Sequence, residues 1–492
     1  MTVHNNEANL VLAAEDFEIN QFRALHKFSS NDERVISKLM AHGPVLLQGS
    51  RGSGKSALMR EAAERLLIST NAGALAIYLS LRHMPLLRSV GDEYQRILCG
   101  LLVNKVKHVL KDTEFTFDAS PNLIEVQAAL TDLSQRIKKR IVLMFDDAAH
   151  IGREASLTEF FDIFRTLGSS SVSCKATIYP GVTNFGNRFD VYNDATVVDV
   201  IRDEHQPGFS KLFMDVVSAR FPEIVEKGFS SELSLEKFSH FLGKSVLGNM
   251  RSFIFVCNNL TNSAESRIGL PTLTKSYLDM ASNFYWPLID EVKPKLGKYV
   301  SVVEPSKEIT EKIFSEAGKH QNPNVIIHKD TLGRLSKAFE ILEYVGFVSK
   351  REVSKALKSG GRGSRYSLNL CMLLENVSGT RITASLFEKW NQQDEEAIQI
   401  HTKSEVFNEI NLPDFNDGSD PEILSNSLDV LRKSPIYPYG ISDRLIERLR
   451  SANIVTVRDL YDATDQQLDD IEYIGEYRVK QLKGIVAQAI WL

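Results

Sequence analysis

The chain has 492 residues, 43% of them apolar and 25% charged, with a formal charge of −5 at neutral pH. That length suits two to four domains with packed cores. The mild negative balance excludes a wholly basic coat, so any nucleic-acid surface must be local. Cys99, Cys174, Cys257 and Cys371 lie far apart with no C-x-x-C spacing, which argues for buried thiols in a reducing compartment rather than a disulfide or zinc framework. The opening "MTVHNNEANL" has no basic start and no apolar run, and eighteen apolar residues never occur together, so a cytoplasmic protein with no membrane partner is expected.

Residues 1–42 read as a polar tail followed by a helical lead-in, "DERVISKLMAH". Across residues 43–205 the apolar runs "PVLLQG", "ALAIYLSL", "RIVLMFDD", "CKATIYPG" and "ATVVDVI" alternate with longer helical periods. Strands so separated predict an α/β domain built on a parallel sheet covered on both faces. Residues 206–290 turn helical, with apolar residues at three- and four-residue spacing, as a helical lid on the sheet would.

The first strand runs into G-x-x-x-x-G-K-S, spelled by Gly49, Ser50, Arg51, Gly52, Ser53, Gly54, Lys55 and Ser56. A P-loop needs consecutive backbone N–H groups facing one concavity, followed by a helix N-terminus. Here Gly49, Gly52 and Gly54 permit the backbone angles, Lys55 reaches the β and γ phosphates, and the Ser56 hydroxyl ligates magnesium. The expected cofactors are ATP and Mg2+. About ninety residues on, "RIVLMFDDAAH" supplies the second half of the site. Ile141 to Phe145 form a continuously apolar central strand, and Asp146 emerges at its end to hold magnesium. Asp147 is placed to orient or deprotonate the attacking water. Helix capping is the alternative use of a paired Asp at a strand end. His150 reads as a polar helix-start residue rather than a catalyst.

The order of these motifs resembles the AAA+ ATPases, and specifically their initiator clade of origin-recognition and helicase-loader proteins. The segment "IYPGVTNFGNRFD" is similar to the clade's sensor-1 region, which implies Asn184 near the γ-phosphate; an ordinary turn residue is the alternative. Arg188 then stands where the family often carries an arginine finger that reaches a neighbouring subunit, with Arg202 and Arg220 as competitors. "LGNMRSFIF" resembles the sensor-2 helix start, which implies that Gly248 and Asn249 open a helix from which Arg251 points back to the phosphates. Many members have Glu where this chain has Asp147, whose shorter side chain points to slow hydrolysis. The resemblance spans roughly residues 44–259 and implies an ATP-dependent homo-oligomer.

Residues 291–410 combine two short helical periods, a Gly-rich tip and an alternating strand, the outline of a winged helix. Between Thr331 and Leu370 eight basic residues oppose three acids, a local balance of +5. Lys355 and Lys358 are expected on one helix face and Arg362 and Arg365 beside the tip "SGGRGS", where duplex DNA phosphates would be neutralised. A solvated charged loop used for protein contacts is the competing reading. Residues 411–439, with four prolines, read as a linker holding one short helix. Residues 440–492 look like a helix-hairpin-helix domain similar to the C-terminal domain of bacterial RNA polymerase α subunits. Gly475 matches the hairpin's second glycine, but Tyr473 stands at the first, and the segment carries a balance of −2. Lys480 and Lys483 are its best phosphate contacts, and docking of a partner effector protein is the equal alternative.

Three readings follow. The first is an ATP-hydrolysing AAA+ switch that binds DNA, in replication, mobile-element control or antiviral defence. The second is a signalling-type nucleotide sensor with little turnover that uses the winged helix as a hinge. The third is a DNA-bound scaffold that holds ATP unchanged.

Overall fold

Each apolar run of the first half becomes a strand of one parallel sheet. In the computed structural model these are β1 (Val45–Gln48), β2 (Ala74–Ser80), β3 (Arg140–Ala149), β4 (Val172–Ile178) and β5 (Thr196–Asp199), in the spatial order β2-β3-β4-β1-β5. The structure describes residues 14–68, 73–81, 91–149, 154–181, 185–186, 188–293, 296–358, 360–392, 396–401, 404–407, 410, 412, 426–433 and 440–491. Side chains alternate between two cores, as the strand period of two requires. Ile141, Leu143 and Phe145 of β3 enter one core with helices α3 (Gly91–Leu110), α4 (Leu123–Ile137) and α5 (Glu154–Leu167). Val142 and Met144 enter the other, with α1 (Ser30–Met40) and α2 (Lys55–Ile68). The result is the expected three-layer α/β arrangement.

The lead-in helix α1 begins with a reciprocal cap. The Ser29 hydroxyl accepts from the Asp32 N–H, while the Asp32 carboxylate accepts from the Ser29 N–H at 2.9 Å. Ahead of it, His26 stacks on Phe22 with ring centroids 4.2 Å apart and meets the edge of Phe17 at 5.1 Å. Burial, aided by the charges of Arg220 and Arg60, pushes its pKa down to about 4 against a backbone hydrogen bond that raises it. Because the folded form binds the proton later than an ordinary His, stability is intact above pH 6.5 and falls as pH drops towards 4. Acidification through that window should therefore loosen residues 17–28 before the sheet. Hydrogen exchange at pH 7 and 4.5 checks this, and His26→Phe should flatten the difference.

After the sheet come the helices α6 (Phe209–Arg220), α7 (Leu235–Ser245), α8 (Met250–Thr261), α9 (Leu270–Met280) and α10 (Trp286–Val292), in the stretch expected to form a lid. A second sheet then follows α11 (Val303–His320), with strands β6 (Asn324–His328), β7 (Val348–Ala356), β8 (Arg362–Leu368) and β9 (Ile398–Ile400) in the order β7-β8-β6-β9. Helix α12 (Lys329–Val345) connects β6 to β7. One expectation is overturned here. Residues 348–356, expected to be helical around Lys355, pair antiparallel with β8 as a bulged strand. The apolar spacing of Val353, Ala356 and Leu357 suits a helix, but a tertiary partner with an alternating strand beside it decides otherwise.

The chain divides into two compact units, Met1–Pro413 and Asp414–Leu492. In the second, α13 (Asp443–Ser451), α14 (Val457–Asp462), α15 (Asp465–Asp469) and α16 (Glu476–Trp491) enclose Leu449, Val457, Leu460, Leu468, Ile474, Val479 and Leu482. Leu428 and Leu431, from a short 3₁₀ turn, are buried in the same core, so this unit's packing begins well before residue 440, inside the expected linker. All four cysteines are buried free thiols, and burial raises the Cys99 pKa to about 11. Among the described residues, no helix is long and apolar enough to cross a membrane.

Candidate functional site

The loop between β1 and α2 takes the shape its glycines allow. Gly52 and Gly54 have φ of +86° and +96°, backbone that L side chains rarely adopt. Gly49 differs from the expectation: it has no positive φ, and a Cβ there would crowd Ser53 Oγ at 2.6 Å and Val200 Cβ at 3.2 Å. Lys55, at the start of α2, is only 5% exposed. Its ammonium donates to the carbonyls of Gly49 at 2.7 Å and Ser50 at 3.0 Å, and sits 3.7 Å from the centroid of the Tyr179 ring. Burial pushes the Lys55 pKa down to about 7; Asp147 and Asp146 raise it, and Arg251 opposes them.

Across from it, β3 brings up both acids. The strand does not end at Asp146, as expected, but continues to Ala149 through a register shift against β4 that begins after Phe145. Within that irregularity Asp147 adopts φ +54°. Such bulges re-aim side chains next to sites. Asp146 is fully buried, and its carboxylate accepts from the hydroxyls of Tyr78 at 2.6 Å and Thr177 at 2.9 Å and from the Asp147 N–H at 3.0 Å. Asp147 accepts from the Tyr179 hydroxyl at 3.1 Å. Lys55, Asp146 and Asp147 thus meet in one buried cluster, from positions some ninety residues apart in sequence.

Helix α8 meets the loop at the expected helix start. Asn249 caps α8 by accepting from the Ser252 N–H at 3.1 Å, and its amide donates to the Arg51 carbonyl at 2.8 Å. The Arg251 N–H donates to the Gly52 carbonyl at 3.1 Å, so the α8 start rests on the glycine-rich loop itself. Arg188 is exposed. Arg202 and Arg220 are buried and so do not present their guanidinium groups to a neighbour. Arg202 pairs with Asp32 at 2.9 Å and donates to the Ser53 carbonyl, clamping the loop from behind. Asn184 and His150 lie outside the described residues.

The residues suit a magnesium–triphosphate ligand in chemistry. The loop provides the backbone turn, Ser53 Oγ is buried with no hydrogen-bond partner among the described residues, Ser56 follows Lys55 in the first turn of α2, and Asp146 lies close enough to Lys55 for its charge to act on the ammonium. Beside the loop lies a separate cavity of about 60 Å³, lined by Gly49, Ser50, Arg202, Asn249, Glu343 and Lys350 and not by Lys55, Ser56, Asp146 or Asp147; it has room for about two waters. Sequence reasoning missed Tyr179, Tyr78, Thr177 and the Asp32–Arg202 pair. Tyr179 had a local signal, as the first residue beyond an apolar strand of the parallel sheet, where such sheets place site residues.

The basic residues expected to contact DNA separate on folding. Arg365 is 5% exposed and pairs with Glu352 at 3.2 Å, so its burial withdraws it from that role. Lys355 is half-buried on strand β7 and pairs with the same Glu352 at 3.1 Å. Lys358 and Arg362 are exposed around the β7–β8 turn, with Arg362 donating to the Ser354 carbonyl at 2.7 Å. In the second unit, Lys480 is 74% exposed and pairs with Glu476. Lys483 instead donates to the carbonyls of Leu460, Tyr461 and Ala463 at the end of α14, which uses its ammonium as a helix cap. Tyr473 has φ +68°, the backbone a glycine would take in a hairpin, and Arg448 lies 4.0 Å over its ring.

No family model matches the chain, and no curated protein does. Among solved structures it is similar to Cdc6p from Pyrobaculum aerophilum, at 13% identity over 75% of this chain and 95% of that one, with a TM-score of 0.34. A Walker-type ATPase of Pyrococcus abyssi aligns at 13% identity over 73% and 95% of the two chains, with a TM-score of 0.42. The Aeropyrum pernix Orc1 protein in complex with DNA aligns at 15% identity over 80% and 97%, with a TM-score of 0.32.

Proposed function

We propose that this chain is an ATP-binding and ATP-hydrolysing switch of the AAA+ type, with an initiator-like lid and a winged-helix module. The observation that carries this reading is the convergence of Lys55, Asp146 and Asp147 on one buried pocket at the carboxyl ends of parallel strands, with the lid helix seated on the loop. Ser56 and Asp146 would hold Mg2+, which neutralises charge on the transferring phosphoryl group. Lys55 turns from the Gly49 and Ser50 carbonyls to the β and γ phosphates. Asp147 orients the attacking water, and Arg251 ties the lid angle to the γ-phosphate. Arg188, being exposed, is the finger offered to a neighbouring copy in an ATP-dependent homo-oligomer.

DNA contact is assigned to Lys358 and Arg362 at the β7–β8 turn, with Lys480 as a weaker contact of the second unit, which otherwise docks a partner protein. The direct trial is ATP turnover with and without duplex DNA. Its companion is DNA affinity measured across salt concentrations. Two phosphate contacts predict a slope of log affinity against log salt of about −2, lost in the Lys358→Ala, Arg362→Ala double variant. A flat salt response removes the DNA assignment.

The sensor reading is favoured by a separate observation: Lys355, Arg365 and Arg351 are ion-paired, and of the segment's eight basic residues only Arg334, Lys358 and Arg362 are exposed. In that reading the C-terminal sheet moves against the pocket rather than along DNA. Single-turnover release of bound ATP, without stimulation by DNA, would decide for it.

A further inference from the structure

The segment after the lid does more than follow the nucleotide domain in sequence; it closes the pocket. Helix α12 ends against the phosphate loop, where the Arg51 N–H donates to the Tyr344 carbonyl at 3.1 Å. An N–H of this loop, of the kind that cradles phosphate, is thereby occupied by a protein carbonyl. The Tyr344 ring packs edge-on against Tyr179, with centroids 5.0 Å apart. Tyr179 in turn touches Lys55 with its ring and Asp147 with its hydroxyl. A chain of direct contacts therefore runs from the acid and the lysine to the end of α12.

Further contacts fasten the same surfaces. Arg351 of β7 donates to the Arg202 carbonyl at 3.2 Å and pairs with Glu204 at 3.1 Å, both side chains nearly buried. The Lys337 ammonium of α12 donates to the Gly181 carbonyl at 3.3 Å. Glu343 and Lys350 form part of the wall of the 60 Å³ cavity. The Arg51 N–H cannot serve a phosphate while it donates to the Tyr344 carbonyl, so phosphate at this position of the loop and this contact exclude each other.

We propose that the carboxyl end of α12 is a plug that nucleotide must displace, and that Tyr179 is the positioning residue coupling that displacement to Asp147 and Lys55. This rests on the nucleotide reading given above. Displacement breaks the Arg51–Tyr344 hydrogen bond and frees the Tyr179 ring on one side, so α12 and the β7–β8 hairpin move as the phosphates enter. Work spent on opening the clasp lowers the apparent affinity for nucleotide by the fraction of molecules already open.

The test uses the full chain and ATP with Mg2+. Calorimetry gives the dissociation constant, and hydrogen exchange reads residues 340–350. ATP should speed exchange there by about tenfold or more, and the Arg351→Gln, Glu204→Gln double variant, which opens the clasp without stranding a buried charge, should bind ATP about fivefold tighter. Tyr344→Ala, which removes the ring contact alone, should move affinity in the same direction. Binding by the unaltered protein with unchanged exchange at 340–350, or unchanged affinity in both folded variants, overturns the plug. Absence of ATP binding in all of them overturns the nucleotide reading as well. Tyr179→Phe keeps the ring and loses only the hydroxyl; it should lower kcat by about fivefold at unchanged KM. Unchanged kcat, or a raised KM together with a lowered Tm, overturns the positioning role.

Discussion

Lys55→Ala is expected to abolish retention of ATP and to lower turnover by about 100-fold or more, while leaving the protein folded. The two effects separate because Lys55 contributes differently to each. In the structure its ammonium satisfies two loop carbonyls and lies on the Tyr179 face. Those contacts are worth about 1 kcal/mol per hydrogen bond and about 1 kcal/mol for the ring. Against them stands the cost of burying a cation, which is what lowers its pKa to about 7. The balance is small, and Tm should shift by only about 5 °C. In the nucleotide reading the same residue is the ammonium that meets the β and γ phosphates, and alanine puts no charge in its place. Nucleotide binding by calorimetry and a thermal melt on the same sample check both halves. ATP affinity equal to that of the unaltered protein would remove the site assignment.

The second large effect is on stability. Arg202→Met should destabilise the first unit by about 3–5 kcal/mol, because Asp32 is left charged and buried without its partner. The pair is 2.9 Å apart with the two side chains 6% and 2% exposed. Arg202 also donates to the Ser53 carbonyl, so the same substitution should weaken ATP binding. Adding Asp32→Asn to Arg202→Met should recover part of the loss, since an amide can still cap α1 and carries no charge. Urea midpoints of the two single variants and the double variant give the coupling directly. Additive losses would mean the ion pair contributes nothing beyond its separate parts.

Several features were legible without tertiary information because they are local demands on the backbone. The P-loop is one, since positive φ at Gly52 and Gly54 is written into residue type. The five strands are another, because burial on both faces requires unbroken apolar runs such as Ile141 to Phe145. The start of α8, capped by Asn249, is a third. Local pattern misled where a strand and a helix share apolar spacing, as at residues 348–356, and where linker composition hid Leu428 and Leu431 inside a core.

What only the folded chain decided is which distant groups meet. Whether Arg365 faces DNA or Glu352, whether Lys483 faces phosphate or the end of α14, and whether Arg202 reaches a neighbour or Asp32 are questions of burial and pairing. A charge's role depends on the partner that compensates its desolvation, and that partner stands 13, 22 and 170 residues away in these cases. The sequence by itself determined a glycine-bent loop at the end of a buried strand; the tertiary structure decided that the end of α12 meets Arg51 of that loop and that Tyr179 meets Lys55. Backbone conformation follows from neighbouring residue types, whereas contact between segments follows from packing the whole unit, and for that reason the pocket was readable and its closure was not.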